Sequence, residues 1–276
     1  MKRQKISAVI LRVLVYLATA ITVGALLFVV GYILYKGVPN LSWKLFEWKY
    51  TTENLSLMPA LLNTILLTAL SLLIAVPLGV FAAIYLVEYA KRGSKLVSII
   101  RMNAETLAGI PSIVYGLFGM LFFVTALKLG FSMLSGALTI SIMILPVILR
   151  TSEEALMSVP DSYREGSFGL GAGRLRTVFR VVLPDAVPGI LAGVILGVGR
   201  TVGETAALLY TAGTSSDTVS GIMDSARTLS VHMYALSQEG LYINQTYATA
   251  VVLLFIVVGI NALSASLAKR VSKRKL

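Results

Sequence analysis

Residues 158–184 read SVPDSYREGSFGLGAGRLRTVFRVVLP, and long apolar runs flank them on both sides. Ser158, Pro160 and Asp161 have the form of a helix start: a hydroxyl cap, a proline in the first turn and an acid three residues after the cap. A short helix is expected through Tyr163, Arg164 and Glu165, stopped by Gly169, Gly171 and Gly173. A second is expected over 174–183, because Leu175, Val178, Phe179 and Val182 recur at i, i+3, i+4 and i+7. Pro184 is expected to end it. The stretch thus predicts a helix–turn–helix hairpin carrying Arg174, Arg176 and Arg180. Two readings of such a hairpin stand side by side: arginines meeting anionic headgroups, or a docking surface for another protein. The glycines make no nucleotide site, since no strand precedes them and no GxxxxGK[ST] occurs in the chain.

The flanking runs set the protein class. Of 276 residues, 57% are hydrophobic and 13% charged, about half the charge of a soluble domain. The formal net charge is +11, from 24 Lys+Arg against 13 Asp+Glu. Binding nucleic acid with that charge requires a basic face on a soluble fold, and too few polar residues exist to build one. The absence of cysteine excludes disulfide scaffolds, thiol catalysis and Cys-ligated metals. What remains is an all-α polytopic membrane protein.

Crossing roughly 30 Å of hydrocarbon takes about 20 apolar residues. Runs at 13–35, 54–87, 106–127, 129–149 and 240–268 meet that length, and a sixth at 186–209 is interrupted by Arg200 and Glu204. Six transmembrane helices are therefore expected. Part of 54–87 lies along the outer interface, because the run exceeds one span. The apolar run that begins the chain is far longer than the core of a signal peptide and is expected to be an uncleaved span. With the N-terminus cytoplasmic, segments 1–12, 88–105, 150–185 and 269–276 lie inside and hold eighteen of the 24 basic residues. Lys36, Lys44, Lys49, Lys128 and Arg227 lie outside, and Arg200 stays in the membrane. That asymmetry places both termini in the cytoplasm of a multi-pass cell (inner) membrane protein. The organisation expected is a first helix with its outer loop (1–56), a transmembrane core (57–268) containing the 158–184 hairpin, and a basic tail (269–276).

An arginine in hydrocarbon costs about 2.5–3.5 kcal/mol on insertion scales unless it faces protein or water. Arg200 lies about 18 Å along the helix from Pro188, and Glu204 follows at i+4, close enough to pair. Gly189, Gly193, Gly197, Arg200 and Glu204 fall within one arc of about 80°. A glycine stripe lets another helix approach closely, so this face is expected at a helix interface or a pathway. Arg200 is then either half of a structural ion pair or a planar donor for an anionic substrate, oriented by Glu204.

Two motifs carry a resemblance. Glu165-Gly166-Ser167, three residues, Gly171, nine residues and Val181-Val182-Leu183-Pro184 resembles the EAA loop of ABC-importer permeases. Gly166 and Ser167 stand in place of the motif's two alanines, and Val181 in place of isoleucine. The resemblance implies a type I, MetI-like permease fold in which the hairpin docks on a separate ATPase. Glu165 would be the polar anchor, Gly166 and Ser167 the small residues, Gly171 the turn, and Leu183 and Pro184 the end of the motif. Second, Arg200-Thr201-Val202-Gly203-Glu204-Thr205-Ala206 is similar to the Arg-x-x-Gly-Glu-Thr-Ala segment of phosphate-importer permeases. Asn63-Thr64 and the 109–116 segment (GIPSIVYG) also look like that family, and the following Leu208-Leu209-Tyr210 favours its PstA type over PstC. Ala207 stands where many members carry proline.

The resemblance implies Arg200, Glu204 and Thr205 on a phosphate path, with no metal, no cofactor and no catalysis in this chain. ATP would be used by two PstB-like subunits, beside a PstC-like second permease and an external PstS-like phosphate-binding protein. Membrane lipid is the remaining partner, and nucleic acid is not one. A permease for sulfate or molybdate and a membrane-embedded enzyme are the alternatives. His232, the only histidine, lacks companions for a metal site, and Asn244-Gln245-Thr246 is too short a match to argue glycosylation. Arg101 and Glu105 are expected to pair at i, i+4 at the cytoplasmic mouth, and Trp43, Trp48 and Tyr50 to form an outer aromatic belt.

Overall fold

Apolar runs in a bilayer satisfy their backbone groups internally only as helices or closed barrels. A computed structural model describes residues 2–91 and 93–273, and the described residues contain helices and no strand. They form α1 (Lys2–Gly37), α2 (Met58–Ile84), α3 (Lys95–Ala108), α4 (Ser112–Gly119), α5 (Met133–Met157), α6 (Asp161–Gly169), α7 (Arg174–Thr177), α8 (Leu183–Gly203), α9 (Ala206–Leu209), α10 (Leu229–Glu239) and α11 (Ile243–Lys273). Arg92 and 274–276, both counted among the expected cytoplasmic charges, lie outside the described residues.

Among the described residues, five helical runs are long and apolar enough to cross a membrane: Ile10–Asn40, Met58–Tyr89, Met133–Met157, Arg174–Gly203 and Ile243–Leu263. The expected third span departs from the straight helix read at 106–127. Its residues belong to α3 and to α4 with a π-helical extension, Met120–Ala126, and the two halves are bent by 102°. Gly109-Ile110-Pro111 causes the break, because proline lacks an N–H and drives the residue before it out of the helical region. The Tyr115 hydroxyl donates to the Leu107 carbonyl at 2.7 Å and ties the two halves together. A sixth span exists if this bent pair counts as one.

Two further boundaries differ from expectation. The apolar run from 54 enters α2 only at Met58: residues 54–57 form a turn, with Leu55 at φ 46° and Leu55, Ser56 and Leu57 all buried. Asn54 explains it: its side chain accepts from the backbone N–H of Thr51 and Ser56 and donates to Glu47 and the Lys49 carbonyl. Pro184 does not end the second hairpin helix. A π turn, Val178–Val182, precedes it, and the helix runs on unbroken from Arg174 to Gly203. The wider turn accommodates the ring and the missing N–H that would break an α-helix there.

The core is α2 against α5, with α8 across them. Leu67, Ala75, Ile140, Met143, Ile144 and Ile148 are fully buried between these helices. Ser141 donates to the Ser71 carbonyl at 3.0 Å. The glycine stripe packs as its spacing predicts: a Cβ on Gly189 would meet Ala155, and one on Gly193 would overlap Thr151. Over the end of the bundle opposite the hairpin, residues 210–228 fold into a cap. Their carbonyls at Thr211, Ile222 and Asp224 accept the N–H groups of Ser132, Leu134 and Met133 at the start of α5, donors that a helix terminus leaves unpaired.

Under this cap α10 seats His232, edge-on to Tyr50 at 5.9 Å and 3.5 Å from the Arg227 guanidinium. Burial first, and then the charge of Arg227, lower its pKa from 6.5 to about 4. The fold therefore holds the ring neutral. Between about pH 4 and 6.5 the unfolded chain binds the extra proton, so stability is complete above that window and falls as pH drops through it, by about 3 kcal/mol at most. The thermal midpoint of the purified protein is expected to decline from pH 6.5 to 4, and His232→Gln to flatten the decline. An unchanged slope in the variant would move the acid sensitivity to other groups.

Candidate functional site

The hairpin is built on its glycines. α6 ends at Gly169, Leu170 caps it, and Gly171 follows at φ +82°. Gly171 N–H donates to the Phe168 carbonyl at 2.9 Å and Ala172 N–H to the Ser167 carbonyl at 3.1 Å. This is the Schellman pairing, and its left-handed position favours glycine. Space is not the constraint, since nothing lies within 4 Å of a Cβ placed there. Ser167 and Thr177 share a hydrogen bond of 2.8 Å, closing α6 on α7. Glu165 and Gly166 are exposed, and open space surrounds Gly166. Leu183 is half-buried and Pro184 exposed where the hairpin enters α8. The expected apolar stripe divides: Val178 and Val182 are buried, while Leu175 and Phe179 face out with Tyr163, Phe168 and the 91%-exposed Leu170. Ser158 is not the cap of α6. It sits at the C-terminus of α5, its hydroxyl donating to Ala155, and Pro160 occupies the cap position.

What anchors the hairpin is Arg164, which the sequence did not single out for a role. Its guanidinium reaches Glu88 Oε1 at 2.7 and 3.1 Å, the carbonyls of Leu156 (2.9 Å) and Val159 (2.7 Å), and Asp161 at 3.3 Å. Side-chain exposure is 13% for Arg164 and 8% for Glu88, so the pair is largely removed from water. Glu88 belongs to the π turn Tyr85–Tyr89 that extends α2. Arg164 thereby joins the hairpin to the C-terminal ends of both α2 and α5.

The expected Arg200–Glu204 pair along one helix does not form. α8 stops at Gly203, and Glu204 is extended at ψ 127°. Its buried carboxylate instead accepts the Ala207 N–H at 3.1 Å, capping α9, while its carbonyl accepts from Ser230 at 2.5 Å. Glycine at 203, with its low helix propensity, permits the stop. Arg200 remains half-buried in the last turn of α8, where the helix dipole favours a cation. Among the described residues no carboxylate pairs with it. Thr205 lines a separate cavity of about 510 Å³ with Ile33, Ile113, Tyr210, Tyr234 and Tyr247.

Where α3 crosses the C-terminal part of α5, Arg101 pairs with Glu153, not with Glu105 as its spacing suggests. Glu105 meets Arg150 at 3.1 Å, and Arg150 also reaches Glu154 at 3.2 Å. Helix α3 turns its polar face to α5, so contacts across helices replace the local pair. These groups rim a cavity of about 540 Å³. No three His, Asp or Glu among the described residues are placed to hold a metal.

Removing one partner of a buried ion pair costs about 3–5 kcal/mol, because the other charge is left unpaired. Arg164→Met is therefore expected to lower the thermal midpoint sharply, and Arg164→Met with Glu88→Leu to recover part of the loss. Melting the single and double variants in detergent checks this; additive losses would show that the two side chains do not depend on each other.

Residues 75–276 match the family described as the binding-protein-dependent transport system inner membrane component. The chain is 34% identical over 240 residues to the probable ABC transporter permease protein YqgI of Bacillus subtilis, covering 82% of this chain and 81% of that protein. It is 34% identical over 220 residues to the phosphate transport system permease protein PstA 1 of Mycobacterium tuberculosis, covering 78% and 71%. In fold it resembles a chain of a bacterial alginate ABC transporter, with a TM-score of 0.64 at 17% identity over 94% of this chain and 96% of that one. It also resembles a chain of the MetNI methionine ABC transporter, with a TM-score of 0.56 at 19% identity over 77% and 93%. The chain belongs to the binding-protein-dependent transport system inner membrane component family, and is a permease subunit of an ABC importer.

Proposed function

We propose that this permease carries inorganic phosphate and takes the PstA-type role in its importer. The observation that carries the reading is Arg200: a half-buried guanidinium with no carboxylate partner among the described residues, inside a segment similar to that of phosphate permeases. A planar, permanently charged donor suits a tetrahedral oxyanion. The cost of placing it in the membrane is offset when an anion or water faces it. The naming of relatives as phosphate transport permeases supports the same reading.

In this reading the chain pairs with a second, PstC-like permease, and both termini are cytoplasmic. Of the two ATPase subunits one grips the hairpin at Glu165, with Gly166 and Ser167 keeping the helix slim where its groove closes. Gly171 sets the turn, and Leu183 and Pro184 feed the motion into α8. An external phosphate-binding protein delivers substrate to the outer cap. Glu204 and Thr205 shape the segment just beyond Arg200. ATP hydrolysis falls to the partners, and this chain performs no covalent step.

The complex reconstituted in liposomes with its ATPase and binding proteins is expected to hydrolyse ATP faster with phosphate than with sulfate or molybdate. Arg200→Gln is expected to abolish uptake while the complex still assembles, and Arg200→Lys to retain a fraction, since a point charge replaces a planar fork. Stimulation by sulfate or molybdate but not by phosphate would refute the substrate. Full uptake by an assembled Arg200→Gln complex would remove Arg200 from the path.

A further inference from the structure

Helix α2 and its π extension form one run of 32 residues, Met58–Tyr89, about 48 Å long. Its inner end holds Glu88 and so, through Arg164, the hairpin. Its outer end holds the cap by a set of bonds that the transport reading has not used. Asn63 is fully buried. Its Nδ2 donates to the carbonyls of Asp217 at 3.0 Å and Arg227 at 3.3 Å, and its Oδ1 accepts the Val219 N–H at 3.2 Å. The neighbouring Thr64 hydroxyl accepts the Leu229 N–H at 2.8 Å. Two adjacent side chains thus satisfy four backbone groups from both limbs of the loop between α9 and α10.

The Asn63 amide itself is fully buried, so losing these bonds would leave its polar atoms unpaired away from water, which is costly. The amide acts as donor and acceptor at once, which no apolar residue of its size reproduces. Asn63 and Glu88 are separated by about 37 Å of one helix. One helical run thus connects the side chain that holds the hairpin to the side chain that holds the cap.

We propose that Asn63 is a positioning residue of the import cycle: it makes the cap follow α2, so that displacement of the hairpin at the cytoplasmic end is felt at the outer mouth. The proposal rests on the chain being an importer permease and is indifferent to whether phosphate is the cargo.

The test uses the complete complex with its ATPase subunits, nucleotide-free and trapped with ATP and vanadate. Amide hydrogen exchange is read across 211–229. In the wild type, exchange at Val219 and Leu229 is expected to differ about tenfold between the two states, the scale of a local opening equilibrium. In Asn63→Ala that difference is expected to vanish, and ATP consumed per substrate imported to rise about tenfold, as the two ends become energetically independent. Thr64→Val is expected to abolish the nucleotide response of the Leu229 amide, and Thr64→Ser, which keeps the acceptor, to preserve it. A residue that merely stabilises the fold would lower the melting point and leave the coupling ratio unchanged.

An assembled Asn63→Ala complex that keeps both the nucleotide response and the wild-type ratio overturns the proposal. If Asn63→Ala does not assemble, the Thr64 pair decides, and equal behaviour of Ser and Val overturns it. A wild-type cap that ignores nucleotide overturns it as well. A cap that responds to nucleotide in a complex deaf to phosphate strikes the substrate assignment alone.

Discussion

The seat of the 158–184 hairpin depends on one guanidinium. Arg164 and Glu88 lie 76 residues apart in sequence and are nearly sealed from water, so each would be costly alone. Their attraction is strengthened by the low local dielectric, and the remaining donors of Arg164 reach two carbonyls at the end of α5. A buried pair of this kind contributes little net stability compared with apolar side chains of the same size. Its value is directional: the planar fork fixes the angle at which α6 leaves the membrane. The Schellman turn at Gly171 then returns the chain, and the unbroken run from Arg174 to Gly203 carries it back into the bilayer.

Close packing makes the response of this frame discrete. The Gly189, Gly193 and Gly197 face lets α8 sit against α5 with side chains such as Thr151 filling the space a Cβ would need. Packed cores of this density switch between arrangements more readily than they stretch. The helix ends are less regular. π turns stand at Tyr85–Tyr89, Met120–Ala126 and Val178–Val182, where α2, α4 and α7 meet their neighbours. Such turns are often found at functional sites.

Much of this was legible in the residues. The spacing from Glu165 to Pro184 predicts the hairpin and its turn, the glycine period predicts a close helix contact, and the uncharged runs predict the spans. What was not legible shares one physical cause: partners supplied by the tertiary fold override local spacing. Arg101 and Glu105 stand at i, i+4 yet bond across to α5 instead. Glu204 stands four residues from Arg200, but the helix ends at Gly203 and the carboxylate finds an unpaired N–H at Ala207. Pro111 and Pro184 look alike as helix breakers. One produces a bend of 102° beside a glycine, and the other is absorbed by a π turn. The Arg164–Glu88 contact has no sequence signal beyond two charges at the ends of apolar runs.

The run from Arg174 to Gly203 has a further meaning. At 30 residues it is about 45 Å of continuous helix, carrying hairpin surface at one end and Arg200 at the other. Such a rod cannot tell an input from an output. If nucleotide in the partner favours one tilt, an anion resting against Arg200 that prefers the same tilt must strengthen the grip of the ATPase by an equal free energy. On the proposed phosphate path cargo would be more than a passenger: it would act as a ligand of the motor, felt through one helix.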